Sequence, residues 1–393
     1  MPRSTRTPGL RPVLTTVAAL LVATAAVAAH AGPASTDTAT MKPRAADWRT
    51  TIPATDFLDS APGEWTSPAI RPPFAFDELI YSWAVRLPRG EGFRLLLQVG
   101  FPDGTRSPWL YAGYWGEVRD RVTSRTAPQF DRGIVDMDWL RLKKKAVTFQ
   151  FRVTQASTAP LTVRPALNIV LTDNSPSRET LALADAIRPA SPTATDRACI
   201  LDLPFRRQMN SAGVITPNRC QSAALASAME YFGKPVPLED IVALTHEPEY
   251  DYPGVWPRII AAAGEFGFDG TIDRFRDWDS VRAAVAQNKV ILCSIRMKEG
   301  DCKEPPYVSM GNHIVALNGV TDDGRVVVTD SFLAKSGRGY RCQWLLEDFE
   351  KVWMETKQGI ALVIMPPPGA ERRCITDLPP FPAGRAPVRG DDH

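Results

Sequence analysis

Thr216-Pro217-Asn218-Arg219-Cys220-Gln221-Ser222-Ala223-Ala224-Leu225-Ala226-Ser227-Ala228-Met229-Glu230-Tyr231-Phe232-Gly233 decides how the rest of the chain is read. Ala, Leu and Met favour a helix, and Ala224, Leu225, Ala228, Met229 and Phe232 fall on one stripe at helical spacing. Pro217 and Asn218 suit the start of that helix, Asn218 as a cap, and Gly233 suits its end. Cys220 is therefore expected in the first turn of a buried helix. Free N–H groups and the positive end of the helix dipole there favour a thiolate, the nucleophilic form. The structural alternative is a small buried hydrophobe or half of a disulfide.

A cysteine nucleophile needs a base, and the base needs an orienting partner. The chain has four histidines. His30 falls in a targeting segment and His393 is the last residue. His246 follows a helical stretch in a Thr-His-Glu-Pro-Glu loop and reads as a surface residue at the helix end. His313 opens the apolar run Ile314-Val315-Ala316-Leu317. The turn Thr321-Asp322-Asp323-Gly324 then sends Arg325-Val326-Val327-Val328-Thr329 back to Asp330. Arms of nearly equal length place His313 and Asp330 together at the open end of one hairpin, as base and orienter require. Gln208 lies upstream of Cys220. Its amide, with the Cys220 backbone N–H, would donate to an oxyanion. Two internal histidines far apart offer no paired metal ligands, so a metal hydrolase is not expected, nor any cofactor.

Outward from this region, residues 1–31 read as a secretory signal peptide. Arg3, Arg6 and Arg11 precede the apolar stretch Val13 to Ala29, and Ala29-His30-Ala31 is a small-x-small cleavage site. A cleaved, extracellular product with no membrane span is expected. A net charge of +2 gives no case for nucleic acid. Export permits disulfides. With Cys220 free, at least one of the other five cysteines is unpaired. Cys293, inside Val290-Ile291-Leu292-Cys293, is the choice, leaving Cys302 with Cys342 and Cys199 with Cys374 as bridges.

After a loose leader at 32–45, residues 46–173 read as an all-β sandwich. Strands are expected at Ile80 to Val85, Phe93 to Val99, Val147 to Val153 and along Leu161 to Leu171, with Pro/Gly/Asp breaks between. Six of the ten tryptophans lie here. They fill the core or, alternatively, line a groove for carbohydrate or peptide. Asp136 and Asp138 are a weak cation signal. A linker at 174–198, with a short helix at Leu181 to Ile187, leads to a second domain at 199–367. There, helices near 238–244, 257–263 and 280–287 precede strands at 290–295, 313–320, 325–329 and 360–364, an α+β order. Residues 368–393 read as a flexible tail.

The second domain resembles the C39-like peptidase group of the papain-like cysteine proteases. The matching residues are Pro204 to Gln208, Cys220 with Glu230-Tyr231-Phe232-Gly233, Gly311-Asn312-His313, Thr329-Asp330, and Leu346-Glu347-Asp348-Phe349 to Trp353. The resemblance implies Cys220 as nucleophile, His313 as base, Asp330 as orienter and Gln208 as oxyanion-hole donor. It implies a papain-like α+β peptidase domain behind a β-sandwich, acting on peptide or protein substrates. Three features depart from the group. Gln221-Ser222 stands where Gly-Pro or Ser-Pro is usual, Ser331 where Pro is usual, and Gln208 is far from Cys220. A secreted cysteine peptidase working through an acyl-enzyme is the expected function. The alternatives are a non-catalytic binding protein on the same scaffold, with a cell-wall or carbohydrate ligand on the sandwich, and a transglutaminase-like acyl transferase.

Overall fold

The strict alternation at 147–153 does form a strand, and its inward face sets the first core. Phe149, Phe151 and Val153 are buried, as are Phe93, Leu95, Leu97 and Val99 on the strand beside it. The structure, a computed structural model, describes residues 44–119, 130–136, 139–188, 199–209, 212–248, 250–334, 338–375, 377–378, 380–381 and 387. The expected signal peptide with His30, the leader before residue 44, Asp138, linker residues 189–198, half of the tail and His393 lie outside the described residues.

The first strands are β1 (Ala46–Ile52), β2 (Leu58–Ala61), β3 (Glu64–Thr66), β4 (Phe76–Ser82), β5 (Gly92–Gly100), β6 (Leu110–Gly116), β7 (Gly133–Asp136), β8 (Trp139–Ala146), β9 (Thr148–Gln155) and β10 (Leu167–Asp173). They make two antiparallel five-stranded sheets, ordered β1-β10-β4-β8-β7 and β2-β3-β9-β5-β6. Rings from the two sheets meet edge to face, Phe76 on Phe149 at 6.1 Å and Tyr81 on Phe151 at 5.7 Å. The expected strand at 80–85 lies earlier, at Phe76–Ser82, where it pairs with β10 and β8. Only the second half of 161–171 is strand. Trp83 and Trp115 are buried in the core, and Trp48, Trp65, Trp109 and Trp139 are half-buried. Asp136 pairs with Arg141 at 2.9 Å.

The remaining elements are α1 (Arg178–Ile187), α2 (Cys220–Tyr231), α3 (Leu238–Thr245), α4 (Trp256–Glu265), β11 (Gly270–Arg274), α5 (Trp278–Ala286), β12 (Val290–Met297), β13 (Met310–Val320), β14 (Arg325–Thr329), β15 (Cys342–Leu345), α6 (Leu346–Glu350) and β16 (Ile360–Ile364). Their antiparallel sheet runs β11-β16-β12-β13-β14-β15. Helix α2 is buried on nearly every side, more than its one apolar stripe implies, and packs against β13, α3 and α4. Strand β11 interrupts the expected helix run. Its Gly270, Thr271 and Asp273 give no apolar pattern, and pairing with β16 holds it.

Strand β11 and helix α4 also meet the first sheets. Arg274 is fully buried and reaches Glu78 at 2.8 Å, with its guanidinium 5.4 Å from the Trp139 ring. Arg276 holds Asp47, and the Trp115 indole N–H donates to Glu265 at 2.9 Å. At Gly264 a Cβ would lie 2.5 Å from the Val85 nitrogen, so α4 touches backbone there and tolerates no side chain.

Cys199 and Cys374 form the expected disulfide. Cys302 and Cys342 do not. Cys342 is buried in β15, and the Cys302 sulfur faces the Asp348 carbonyl at 3.8 Å. Under non-reducing conditions four thiols should titrate after unfolding, counted with a colorimetric thiol reagent; two would restore the rejected bridge. Arg274→Ala strands Glu78 in a buried setting and should cost about 3–5 kcal/mol, read from urea unfolding.

Candidate active site

Helix α2 begins at Cys220 without a side-chain cap. Asn218, expected to cap, instead has a left-handed φ of 62°, and Arg219 is the residue before the first turn. Arg219 turns outward to Glu239 on α3. The Cys220 side chain is 6% exposed, at the foot of β13.

Strand β13 brings the rest. It is longer than its sequence pattern showed, starting at Met310, and His313 sits opposite Ile295 of β12. The hairpin with β14 is not a matched ladder. Its register slips between Leu317 and Gly319, so Thr329 faces Ala316, and Asp330 falls two residues from His313 rather than the three that an unbroken ladder would give. The slip is pinned by Asn318, fully buried. Its amide donates to the Leu201 carbonyl at 2.7 Å and accepts from the Thr329 hydroxyl at 3.0 Å. Side-chain reach closes the offset: His313 Nε2 lies 2.8 Å from Asp330 Oδ1. Phe332 N–H also donates to that oxygen at 3.0 Å. The edges of Tyr307 and Phe332 wall the imidazole, with centroids 6.3 and 5.8 Å away.

The thiol faces β13 near the very next residue, whose backbone N–H at Ile314 favours the charged form of the Cys220 sulfur. The thiol itself donates to the Gln221 side-chain oxygen at 3.0 Å. Burial pushes the Cys220 thiol up to about 11, with the Ile314 and Gln221 N–H groups opposing and the Asp330 charge adding. Burial thus opposes the thiolate that a helix start favours. Burial also drives the His313 imidazolium down to about 3 and raises the Asp330 carboxyl to about 7, where the Phe332 and Leu333 N–H groups oppose it. An ionised Asp330 at 2.8 Å opposes the His313 shift.

Gln208 is buried, and the long gap to Cys220 closes on itself. Met209 bridges Ile215, and the Thr216 N–H donates to the Gln208 carbonyl at 2.9 Å. Gln208 thus stands beside Thr216, four residues before Cys220. Its Nε2 donates to the Thr216 carbonyl at 3.3 Å, and its Oε1 accepts from the Ser331 hydroxyl at 2.8 Å. One amide hydrogen is left over for another acceptor. His246 is apart from this group, half exposed on Asp251 at 2.9 Å. No metal-binding cluster occurs among the described residues.

Sequence reasoning missed Gln221, Ser331, Tyr307 and the Ile314 N–H as parts of the site. Gln221 and Ser331 stood out only as departures from a family pattern. The other two depend on β13 register, which no motif carries.

Helix α2, which starts at Cys220, packs against the strand that carries the bonded His313–Asp330 pair, and family matching points to a peptidase domain. Residues 200–360 match the Peptidase C39 like family, and residues 23–174 match the Peptidase C39 N-terminal domain. No curated protein matches the chain. Among solved structures it is similar to the peptidase domain of Streptococcus ComA, described as a bi-functional ABC transporter involved in quorum sensing. Identity there is 16% and the TM-score 0.28, over 39% of this chain and 96% of that one. It is also similar to a double glycine motif protease from an AMS/PCAT transporter in complex with the leader peptide. That match has 17% identity and a TM-score of 0.30, over 46% of this chain and 100% of the other. These likenesses are slight, and the fold rests on the sheets described above.

Asp330→Ala leaves the buried His313 Nε2 without its acceptor. Denaturant unfolding should show a loss of about 1–3 kcal/mol, and a neutral change would mean the ring is held by its aromatic walls alone.

Proposed function

We propose that the chain is an exported cysteine peptidase that hydrolyses peptide bonds through Cys220, His313 and Asp330. Residues 46–173 would be a β-sandwich domain and 199–367 a papain-like α+β peptidase domain, with the signal peptide removed near Ala31. The observation that supports it best is one strand serving both partners: His313 bonds Asp330 while the adjacent Ile314 N–H favours the charged form of the Cys220 sulfur.

With the thiol's pKa raised and the imidazolium's lowered, the resting pair is neutral, and the thiolate forms as attack proceeds. His313 Nδ1 takes the thiol proton while sulfur bonds to the substrate carbonyl carbon. Asp330 keeps Nε2–H toward itself, so Nδ1 is the basic nitrogen, and it stabilises the imidazolium. The carbonyl oxygen, now an oxyanion, takes the spare Gln208 amide hydrogen and the Cys220 backbone N–H. His313 returns its proton to the leaving amine. It then activates water, which releases the acid and restores the thiol.

A competing reading is a binding protein on a scaffold without turnover. The burial of Cys220 and its bond to Gln221 favour that reading. Cleavage of an unstructured protein by the secreted form decides between them. Cys220→Ala and His313→Ala should each abolish it, and Gln208→Ala should lower kcat about 10²-fold or more. Cleavage that survives Cys220→Ala, or none in any form, would remove the peptidase reading.

A further inference from the structure

Gln221 follows the nucleophile directly and is 1% exposed. Both ends of its side-chain amide are engaged. Nε2 donates to the Asn218 carbonyl at 2.6 Å, and Oε1 accepts from the Cys220 thiol at 3.0 Å. A carbonyl only accepts, so the NH₂ must face Asn218, and that leaves the oxygen toward sulfur. Asn218 is itself held left-handed, which aims its carbonyl. The amide is also pressed from outside. A Cβ on Gly254 would sit 2.4 Å from Gln221 Nε2 and 2.3 Å from the Tyr252 ring, so this loop has no room beside the amide.

From this geometry we infer that Gln221 is a positioning residue that holds the thiol proton away from His313 in the resting site. The inference rests on Cys220 and His313 acting together, as proposed above. An acceptor on S–H stabilises the protonated sulfur, whereas the N–H groups of Ile314 and Gln221 stabilise the thiolate. Removing the acceptor therefore tips the thiol toward release. Around the thiol, β13 brings His313 and the turn after β14 brings Asp330. On α3 and α4 and in the loop between them, Glu239, Arg258 and Glu247 are taken up by the pairs Arg219–Glu239 and Arg258–Glu247. Asp330 is the charge that acts on the sulfur. Gln221 thus sets how much of the nucleophile is available before substrate arrives.

The test needs no substrate. Iodoacetamide labelling of Cys220 is followed by peptide mapping from pH 6 to 10.5 in wild type, Gln221→Met and Gln221→Ala. Met keeps the buried volume and removes the acceptor. Both variants should label about tenfold faster at pH 7, a one-unit fall in the thiol pKa, and the advantage should shrink toward pH 10.5. A pocket merely opened would give a ratio that does not change with pH. A general loosening would label the buried Cys293 as well. Either outcome, or wild-type rates throughout, overturns the inference. Adding His313→Ala to Gln221→Met should cancel most of the gain. If His313→Ala alone labels as fast as wild type, the Cys–His reading falls, whereas the Gln221 effect is read separately from the pH ratio.

Discussion

Strand β13 is the constraint on which the site depends. Its backbone must pass close enough to α2 for the Ile314 N–H to act on the sulfur. One residue earlier, its side chain must reach Asp330. Both demands fix the strand's register against β12 on one side and β14 on the other. A slip of one residue would turn His313 to the opposite face of the sheet. The bulge at Asn318 prevents that slip. Its buried amide ties the strand to Leu201 and Thr329, so a change of register would leave those polar groups without partners. Leu201 opens the segment that carries Gln208, so the same amide links the donor's segment to the strand that carries the base.

Burial then decides the chemistry. Cys220, His313, Asp330, Gln208 and Gln221 are all nearly sealed from solvent. In such a setting charge is costly, so the thiol and imidazole rest neutral, and the Asp330 carboxyl is raised to about 7, its charge supported by the donors His313 Nε2–H and Phe332 N–H. The N–H groups around sulfur and carboxylate favour charge but do not overcome the desolvation. The first sheets brace the elements that build this enclosure. Arg274 with Glu78, and Trp115 with Glu265, fasten β11 and α4, and α4 packs against α2.

Much of this was legible in the chain. The α2 stripe and the length of β14 followed from periodicity, and of the two disulfides guessed from the cysteine count only Cys199–Cys374 formed. His313 and Asp330 were found because a turn motif sat between two apolar runs. The bulge between them was not, although Asn318-Gly319 inside an apolar strand is the kind of dipeptide that marks one. Strand β11 escaped because tertiary pairing holds it, not its own alternation. The Cys302–Cys342 bridge failed because parity arithmetic says nothing about distance. The burial that opposes a thiolate was not legible for a similar reason. Sequence shows a helix start but not how completely neighbours exclude water from it.

The proton arrangement of His313 is the most direct test of the Cys–His–Asp relation. Nitrogen-15 NMR of the imidazoles, compared before and after alkylation of Cys220, reports it on a chain with few histidines. The expected result is a neutral ring protonated at Nε2 toward Asp330, with an unprotonated Nδ1 whose resonance moves when the sulfur is modified. A ring protonated at Nδ1, or one whose resonances ignore alkylation at 220, would contradict it.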